Sequence, residues 1–207
     1  MLEGRIGMKA IINANVIMPD HVIPNGVILL EDGVIAAVGK AKDTPIPEGA
    51  EIIDAEGAYV GPGLIDIHTH AAGGVYFTED PVFCGRELLK HGVTSVLPAL
   101  YYSLDQSAFV AAIEKINAAY EEGLFPNFLG YYMEGPYLNP GFGCNQDKNS
   151  WRFGVFHDDY APLIEKSKKY TRVWCIAPER EGIEDFVRDV KREIPSCVFA
   201  VAHSAAT

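Results

Sequence analysis

Basic residues are the scarce class in this chain: 17 lysines and arginines stand against 28 aspartates and glutamates, a formal net charge of -11 over 207 residues. That balance argues against nucleic acid or an anionic membrane surface as partner, because their phosphates would be repelled. Long apolar runs are missing too. No stretch reaches the ~18 consecutive apolar residues of a bilayer span, and Met1 to Gly7 has no apolar region of the kind a secretory signal carries. Those first residues read as a leader outside the fold, since Met8 restarts a strand-like pattern. Cysteine is sparse: Cys84, Cys144, Cys175 and Cys197 are scattered, with no Cys-x-x-Cys pair. That pattern fits reduced thiols in the cytoplasm better than a disulfide framework or a structural zinc knot. Repeats and low-complexity segments are absent. So is a Gly-x-Gly-x-x-Gly loop after the first strand of the α/β region, which weakens a dinucleotide-binding reading.

What is present falls into two rhythms. From Met8 to Val60 short β-branched stretches alternate with tight turns: strands are expected at Ala10–Ile17, Gly26–Leu30, Val34–Val38, Glu51–Asp54 and Ala58–Val60. Glu31-Asp32-Gly33 is a hairpin signal. Residues 8–60 thus read as a small β-domain. From Gly61 onward strands and helices alternate. Strands are expected at Leu64–His68, Val93–Pro98, Phe128–Met133, Arg172–Ala177 and Ser196–His203. A helix opens at Asp80-Pro81, where proline suits the first turn. A second opens at Ser103, with Gln106 completing a capping-box pattern. The others span Tyr160–Lys169 and Ile183–Glu193. Five strands alternating with four helices specify an α/β fold with parallel strands, either an open sheet or a barrel.

The polar residues favour the barrel. His68 and His70, Glu134, Glu179 and His203 all fall at C-terminal strand ends, where barrel enzymes place their chemistry. Residues i and i+2 of a strand share a face, so His68 and His70 point the same way and can hold one divalent ion through neutral ring nitrogens. Glu134 ends the third strand ahead of a Gly-Pro turn, and its face also carries Phe128, Gly130 and Tyr132. A lone histidine such as His203 is more often structural than ligating; its position beside the other strand ends is what makes it a candidate. His21, His91 and His157 lie in turn or helix-end contexts and read as structural or solvated. Three or four N/O ligands around an open position suit hydrolysis, since the ion acidifies water and polarises a carbonyl.

At this point the motifs resemble a family. Pro62-Gly-Leu-Ile-Asp-Ile-His-Thr-His70, Gly92-Val-Thr-Ser-Val-Leu-Pro98, Glu134-Gly-Pro-Tyr-Leu-Asn-Pro140, Ala177-Pro-Glu179 and His203-Ser-Ala-Ala-Thr207 are similar to the N-acetylglucosamine-6-phosphate deacetylases of the metal-dependent amidohydrolase superfamily. The resemblance implies a (β/α)8 barrel with a small β-sandwich built from both chain ends. It implies hydrolysis of the N-acetyl amide of an acylated amino-sugar phosphate, with acetate as product. Glu134 and His203 would ligate one metal, and His68 and His70 a second, neighbouring one. Zinc is the expected ion, one or two per site, with iron or another divalent metal as the alternative. An aspartate after the eighth strand would act as general base and then as acid.

Two departures accompany that resemblance. The family carries a histidine in the turn after its Asn-Pro; here the stretch reads Gly143-Cys144-Asn145. Cys144 and Asn145 are then the candidate substrate-contacting residues, and the acyl sugar stays open. The second departure is extent. A barrel of this kind needs about 250 residues, and residues 61–207 correspond to its first part, an incomplete (β/α)8 TIM barrel of about five strands. The expectation is a piece of a deacetylase, inactive alone, or a chain whose barrel is closed by another chain or by a homo-oligomer. Three further readings compete. Other amidohydrolases often place a bridging lysine at the end of strand four, where this chain has Val173-Trp-Cys-Ile-Ala-Pro-Glu179. A non-catalytic half-barrel is the second. Sugar-phosphate binding without hydrolysis is the third, although no basic cluster accompanies the strand ends.

Overall fold

The computed structural model describes residues 7–143 and 145–206. Residues 1–6, Cys144 and Thr207, and with them most of the expected leader, lie outside the described residues. The chain divides into two compact units, the first running to Pro62 and the second starting at Gly63.

The first unit is a five-stranded sheet of β1 (Lys9–Ile17), β2 (Val22–Glu31), β3 (Val34–Lys40), β4 (Glu51–Asp54) and β5 (Tyr59–Val60). The order is β3-β2-β1-β4, with β5 also paired to β1. The β2–β3 turn is two residues long because Asp32 and Gly33 both take positive φ (50° and 81°), the geometry that matches strand twist in a tight hairpin. Alternation sends Val27 and Leu29, with Ala10, to one face, and Ile28, with Ala14 and Val16, to the other.

The second unit holds the parallel sheet. Its strands are β6 (Leu64–Thr69), β9 (Val93–Tyr101), β10 (Tyr131–Glu134), β11 (Thr171–Ile176) and β12 (Val198–Val201), in the order β12-β11-β10-β9-β6. Every neighbouring pair is parallel and sequential along the chain. A small hairpin, β7 (Ala71–Ala72) and β8 (Val75–Tyr76), precedes helix α1 (Pro81–Lys90). The crossovers are α2 (Gln106–Glu121), α3 (His157–Ser167) and α4 (Ile183–Glu193).

The core lies between the sheet and these helices. Phe109, Ile113 and Ile116 recur at helical spacing on α2, and Ile183, Phe186 and Val190 do so on α4. They pack with Tyr131, Met133 and Trp174, three strand side chains without solvent exposure. Because strand residues alternate, burying Tyr131 and Met133 under the helices turns Tyr132 and Glu134 to the opposite face of the sheet. Packing of the core thus aims the glutamate. At the two ends of the sheet, β6 and β12 each have one strand neighbour, and Ile65, Ile67, Val198 and Val201 there are 59–65% exposed.

Two helix starts repay comparison with the sequence. Asp80 caps α1, its Oδ1 accepting from the Phe83 amide. The second helix starts two residues later than the Ser103–Gln106 pattern suggests. Asp105 is the cap and accepts from the Ala108 amide, while Gln106 reaches away to the carbonyls of Asp158 and Asp159.

Candidate metal centre

Four side chains meet at the C-terminal end of the parallel sheet. His68 lies in β6 and His70 just after it, and their rings stand 5.2 Å apart at 81°. Glu134 is the last residue of β10. His203 follows β12 by two residues and takes a left-handed backbone, φ 47°.

The glutamate organises the group. Its Oε2 lies 2.8 Å from His70 Nε2 and 3.4 Å from His68 Nε2, and its Oε1 lies 2.9 Å from His203 Nε2. One carboxylate thus serves two sides, with the His68–His70 pair on one oxygen and His203 on the other. The ligand atoms of His68, His70 and Glu134 all lie within 4.8 Å of one another, close enough for one ion. Zinc bonds of about 2.0–2.2 Å at tetrahedral angles separate ligand atoms by roughly 3.3–3.6 Å, so only small adjustments are needed. His203 joins this set through Glu134.

The ring tautomers suit a metal. His70 Nδ1 lies 2.9 Å from the Ala99 carbonyl, and His203 Nδ1 lies 3.0 Å from the Phe142 carbonyl. A carbonyl only accepts, so each Nδ1 carries the proton and donates. Each Nε2 is then left with its lone pair toward Glu134, the arrangement in which an outer hydrogen bond orients a ligating imidazole. Without an ion, the close approach of His70 Nε2 to the carboxylate favours the protonated ring. Accordingly the hydrogen bond that His70 donates to Glu134 raises the His70 pKa above its ordinary value, outweighing burial. Burial opposes ionisation of Glu134, yet hydrogen bonds from His70 and His203 hold its carboxyl below the usual range. The donor set of His68, His70 and Glu134 has the nitrogen and oxygen chemistry that could hold a divalent cation.

Aromatic rings flank the pair: Tyr132 packs edge-on to His68 at 4.5 Å, and Tyr101 to His70 at 4.9 Å. The site stays open to solvent, with side-chain exposures from 13% at Glu134 to 37% at His68.

The loop expected to touch substrate passes beside His203. Gly143 takes φ +71°, and a Cβ there would lie 2.5 Å from His203 Nδ1. Cys144 lies outside the described residues. Asn145 is exposed; its amide donates to the Tyr102 hydroxyl, and its side chain caps a short 3-10 turn at Gln146–Lys148. Of the other histidines, exposed His21 pairs with Asp20, His91 caps α1, and His157 opens α3. Sequence reasoning left out the residues that hold the ligands, namely the Ala99 and Phe142 carbonyls, Asn139 and Ser204. Backbone acceptors have no sequence signature. Glu179, noted at a strand end but outside the ligand set, is the carboxylate tied to Asn139 and Ser204.

The fold and the site together define five sequential parallel strands that carry, at their C-terminal ends, a histidine–glutamate group able to hold a metal ion, the strand arrangement of a barrel hydrolase. In sequence, the chain is 32% identical over 187 residues to the N-acetylgalactosamine-6-phosphate deacetylase of Escherichia coli O157:H7, covering 86% of this chain and 46% of that enzyme. The crystal structure of N-acetylglucosamine-6-phosphate deacetylase from Pasteurella multocida superposes with a TM-score of 0.76 at 23% identity, over 97% of this chain and 52% of that one. A shorter match, 38% over 99 residues, joins the chain to the dihydroorotase of Trichlorobacter lovleyi, covering 46% of this chain and 22% of that enzyme. No protein-family model matches. The chain therefore spans less than half of each of these two curated relatives. Its resemblance to the amino-sugar phosphate deacetylases, read from the motifs, stands.

Proposed function

We propose that this chain carries the metal-holding part of an amide hydrolase that removes the acetyl group from an N-acetylated amino-sugar phosphate. The observation that carries the reading is Glu134 set between two histidine groups, one on each carboxylate oxygen. His68, His70 and Glu134 would hold one divalent ion, and His203 would share Glu134 toward a second position. Zinc is the ion that this nitrogen and oxygen set suits. Such an ion supplies a Lewis acid for the amide carbonyl and acidifies water.

The chain's own residues do the rest. Ala99 and Phe142 fix the ring tautomers, Glu134 keeps its negative charge, and Tyr101 and Tyr132 wall the histidine pair. The open apolar strands β6 and β12 support completion of the sheet by further strands or by another chain. A cytoplasmic setting fits the buried thiols of Cys84 and Cys197. No helix among the described residues is long and apolar enough to cross a membrane.

Zinc titration of the metal-free chain by calorimetry tests the site. Saturable binding that Glu134→Ala abolishes is expected; binding that survives this substitution overturns the reading. Acetate release from N-acetylglucosamine-6-phosphate and N-acetylgalactosamine-6-phosphate, assayed with the barrel completed, tests the substrate class.

A further inference from the structure

Glu179 lies three residues beyond β11 and touches none of the four candidate ligands, yet it ties together the loops that carry two of them. Its Oε1 accepts from the Asn139 side-chain amide at 2.7 Å and from the Ala205 backbone amide at 2.6 Å. Its Oε2 accepts from the Ser204 hydroxyl at 2.7 Å. One exposed carboxylate thereby joins the ends of β10, β11 and β12.

Both arms lead to His203. On one side, Ser204 and Ala205 directly follow the histidine in sequence. On the other, the Asn139 amide donates to the His203 carbonyl at 2.9 Å, and Asn139 Oδ1 accepts from the Gly141 amide at 2.9 Å. That turn presents Phe142, whose amide donates to the Asn139 carbonyl at 3.1 Å and whose own carbonyl receives His203 Nδ1 at 3.0 Å. The circuit closes around the imidazole, holding its backbone through Ser204 and its ring through Phe142. Such a clamp is needed because His203 sits at φ 47°, a region that a β-carbon disfavours and that persists only when surrounding contacts impose it.

We propose that Glu179 is a positioning residue for the metal centre, holding His203 in the left-handed turn that aims its Nε2 at Glu134. The inference rests on the metal-site reading above and adds a residue to which no ligand role was given. The carboxylate is strongly committed to this task. Although burial opposes its ionisation, hydrogen bonds from Ser204, the Ala205 amide and Asn139 bring its pKa down to about 2. Outer hydrogen-bond partners of ligating histidines typically change metal affinity by roughly 10–100-fold when removed.

The test is zinc titration of the metal-free chain, by calorimetry and by NMR of the imidazole signals, with Glu179→Ala, Glu179→Gln and Ser204→Ala. Glu179→Ala is expected to weaken zinc about 10–100-fold and to abolish the zinc-induced shift of His203 while His68 and His70 still respond. Glu179→Gln keeps an acceptor for Asn139 and Ala205 and is expected to restore the His203 response. Unchanged affinity with a normal His203 shift in Glu179→Ala overturns the proposal and leaves the metal site standing. A wild-type chain in which zinc moves none of these imidazoles removes the site reading itself, and this proposal with it. If Glu179→Ala does not fold, Ser204→Ala, which deletes one of the three contacts, decides: a diminished His203 shift supports the clamp, and an unaltered one overturns it.

Discussion

Glu134 and His203 are 69 residues apart in sequence and 2.9 Å apart in space, joined through the one carboxylate oxygen that His68 and His70 leave free. Strand order produces this meeting. Glu134 ends a central strand and His203 follows an edge strand, with β11 between them. The intervening strand contributes no ligand; its loop contributes Glu179.

The Glu134–His70 contact sets a pH window in the metal-free chain. Glu134 raises the His70 pKa above 6.5, and His70 in turn helps hold Glu134 below 4.5. A raised histidine stabilises the fold below its unfolded pKa, and that stability is lost as pH rises through the folded value. A lowered carboxylate stabilises above its unfolded pKa and loses that as pH falls. The pair therefore contributes between the two, across mildly acidic to neutral pH. Glu134→Gln should bring the His70 pKa down toward 6.5 in an NMR titration. It should also narrow its stability deficit against wild type as pH climbs above neutral. An unchanged His70 titration would show that the contact is not made in solution.

Glu179 gives a lower window. Its folded pKa of about 2 lies below the ordinary 4.5, so its contribution is complete above about 4.5 and is lost as pH falls toward about 2. Asn139, Ser204 and the Ala205 amide are neutral donors rather than a counter-charge, so salt should screen the effect little. Acid unfolding of wild type against Glu179→Gln, at low and high salt, checks both statements. The stability gap should shrink below pH 4.5 and be the same at either ionic strength.

How much of this was legible in the sequence depends on what kind of pattern each feature leaves. His68 and His70 could be placed because strand alternation is local and regular, and Glu134 because a Gly-Pro turn marks the strand end. The α4 boundaries, Ile183–Glu193, are those expected from the sequence. The start of α2 was misplaced because Ser103 and Asp105 both offer a capping oxygen, and only the Asp105–Ala108 contact separates them. The third parallel strand is shorter than Phe128–Met133 suggested. Gly130 takes φ +140°, and Phe128 pairs with Val96 only as an isolated bridge. The Glu179 clamp left no trace, since its partners come from separate loops with no common period.

Core and site are coupled at Trp174. This side chain has no exposed surface, and its indole Nε1 donates to the Gly135 carbonyl, one residue past Glu134, at 2.7 Å. Trp174→Phe keeps most of the apolar volume but leaves that carbonyl without its donor, a loss of roughly 1–3 kcal/mol when the group stays buried. Guanidinium unfolding should show a destabilisation of that size, and zinc should bind more weakly because the Glu134 turn loosens. Full stability with weakened zinc would separate the two effects and disprove the coupling through the fold.

Gly143 offers the sharpest steric test of the His203 environment. Its φ of +71° suits glycine, and a Cβ built there would sit 2.5 Å from His203 Nδ1, inside any van der Waals limit. Gly143→Ala therefore brings two penalties, a left-handed alanine costing about 1–2 kcal/mol and a clash with the nitrogen that donates to Phe142. The ring can escape only by rotating, which breaks the Nδ1 contact and turns Nε2 away from Glu134. Thermal unfolding should report the first penalty, and the His203 imidazole shift on zinc addition the second. His68 and His70 should respond to zinc as in wild type, because they approach the opposite carboxylate oxygen. A Gly143→Ala chain with an unperturbed His203 response would mean that the loop yields and the ring does not, placing the rigidity of this corner in Glu179, Ser204 and Asn139 alone.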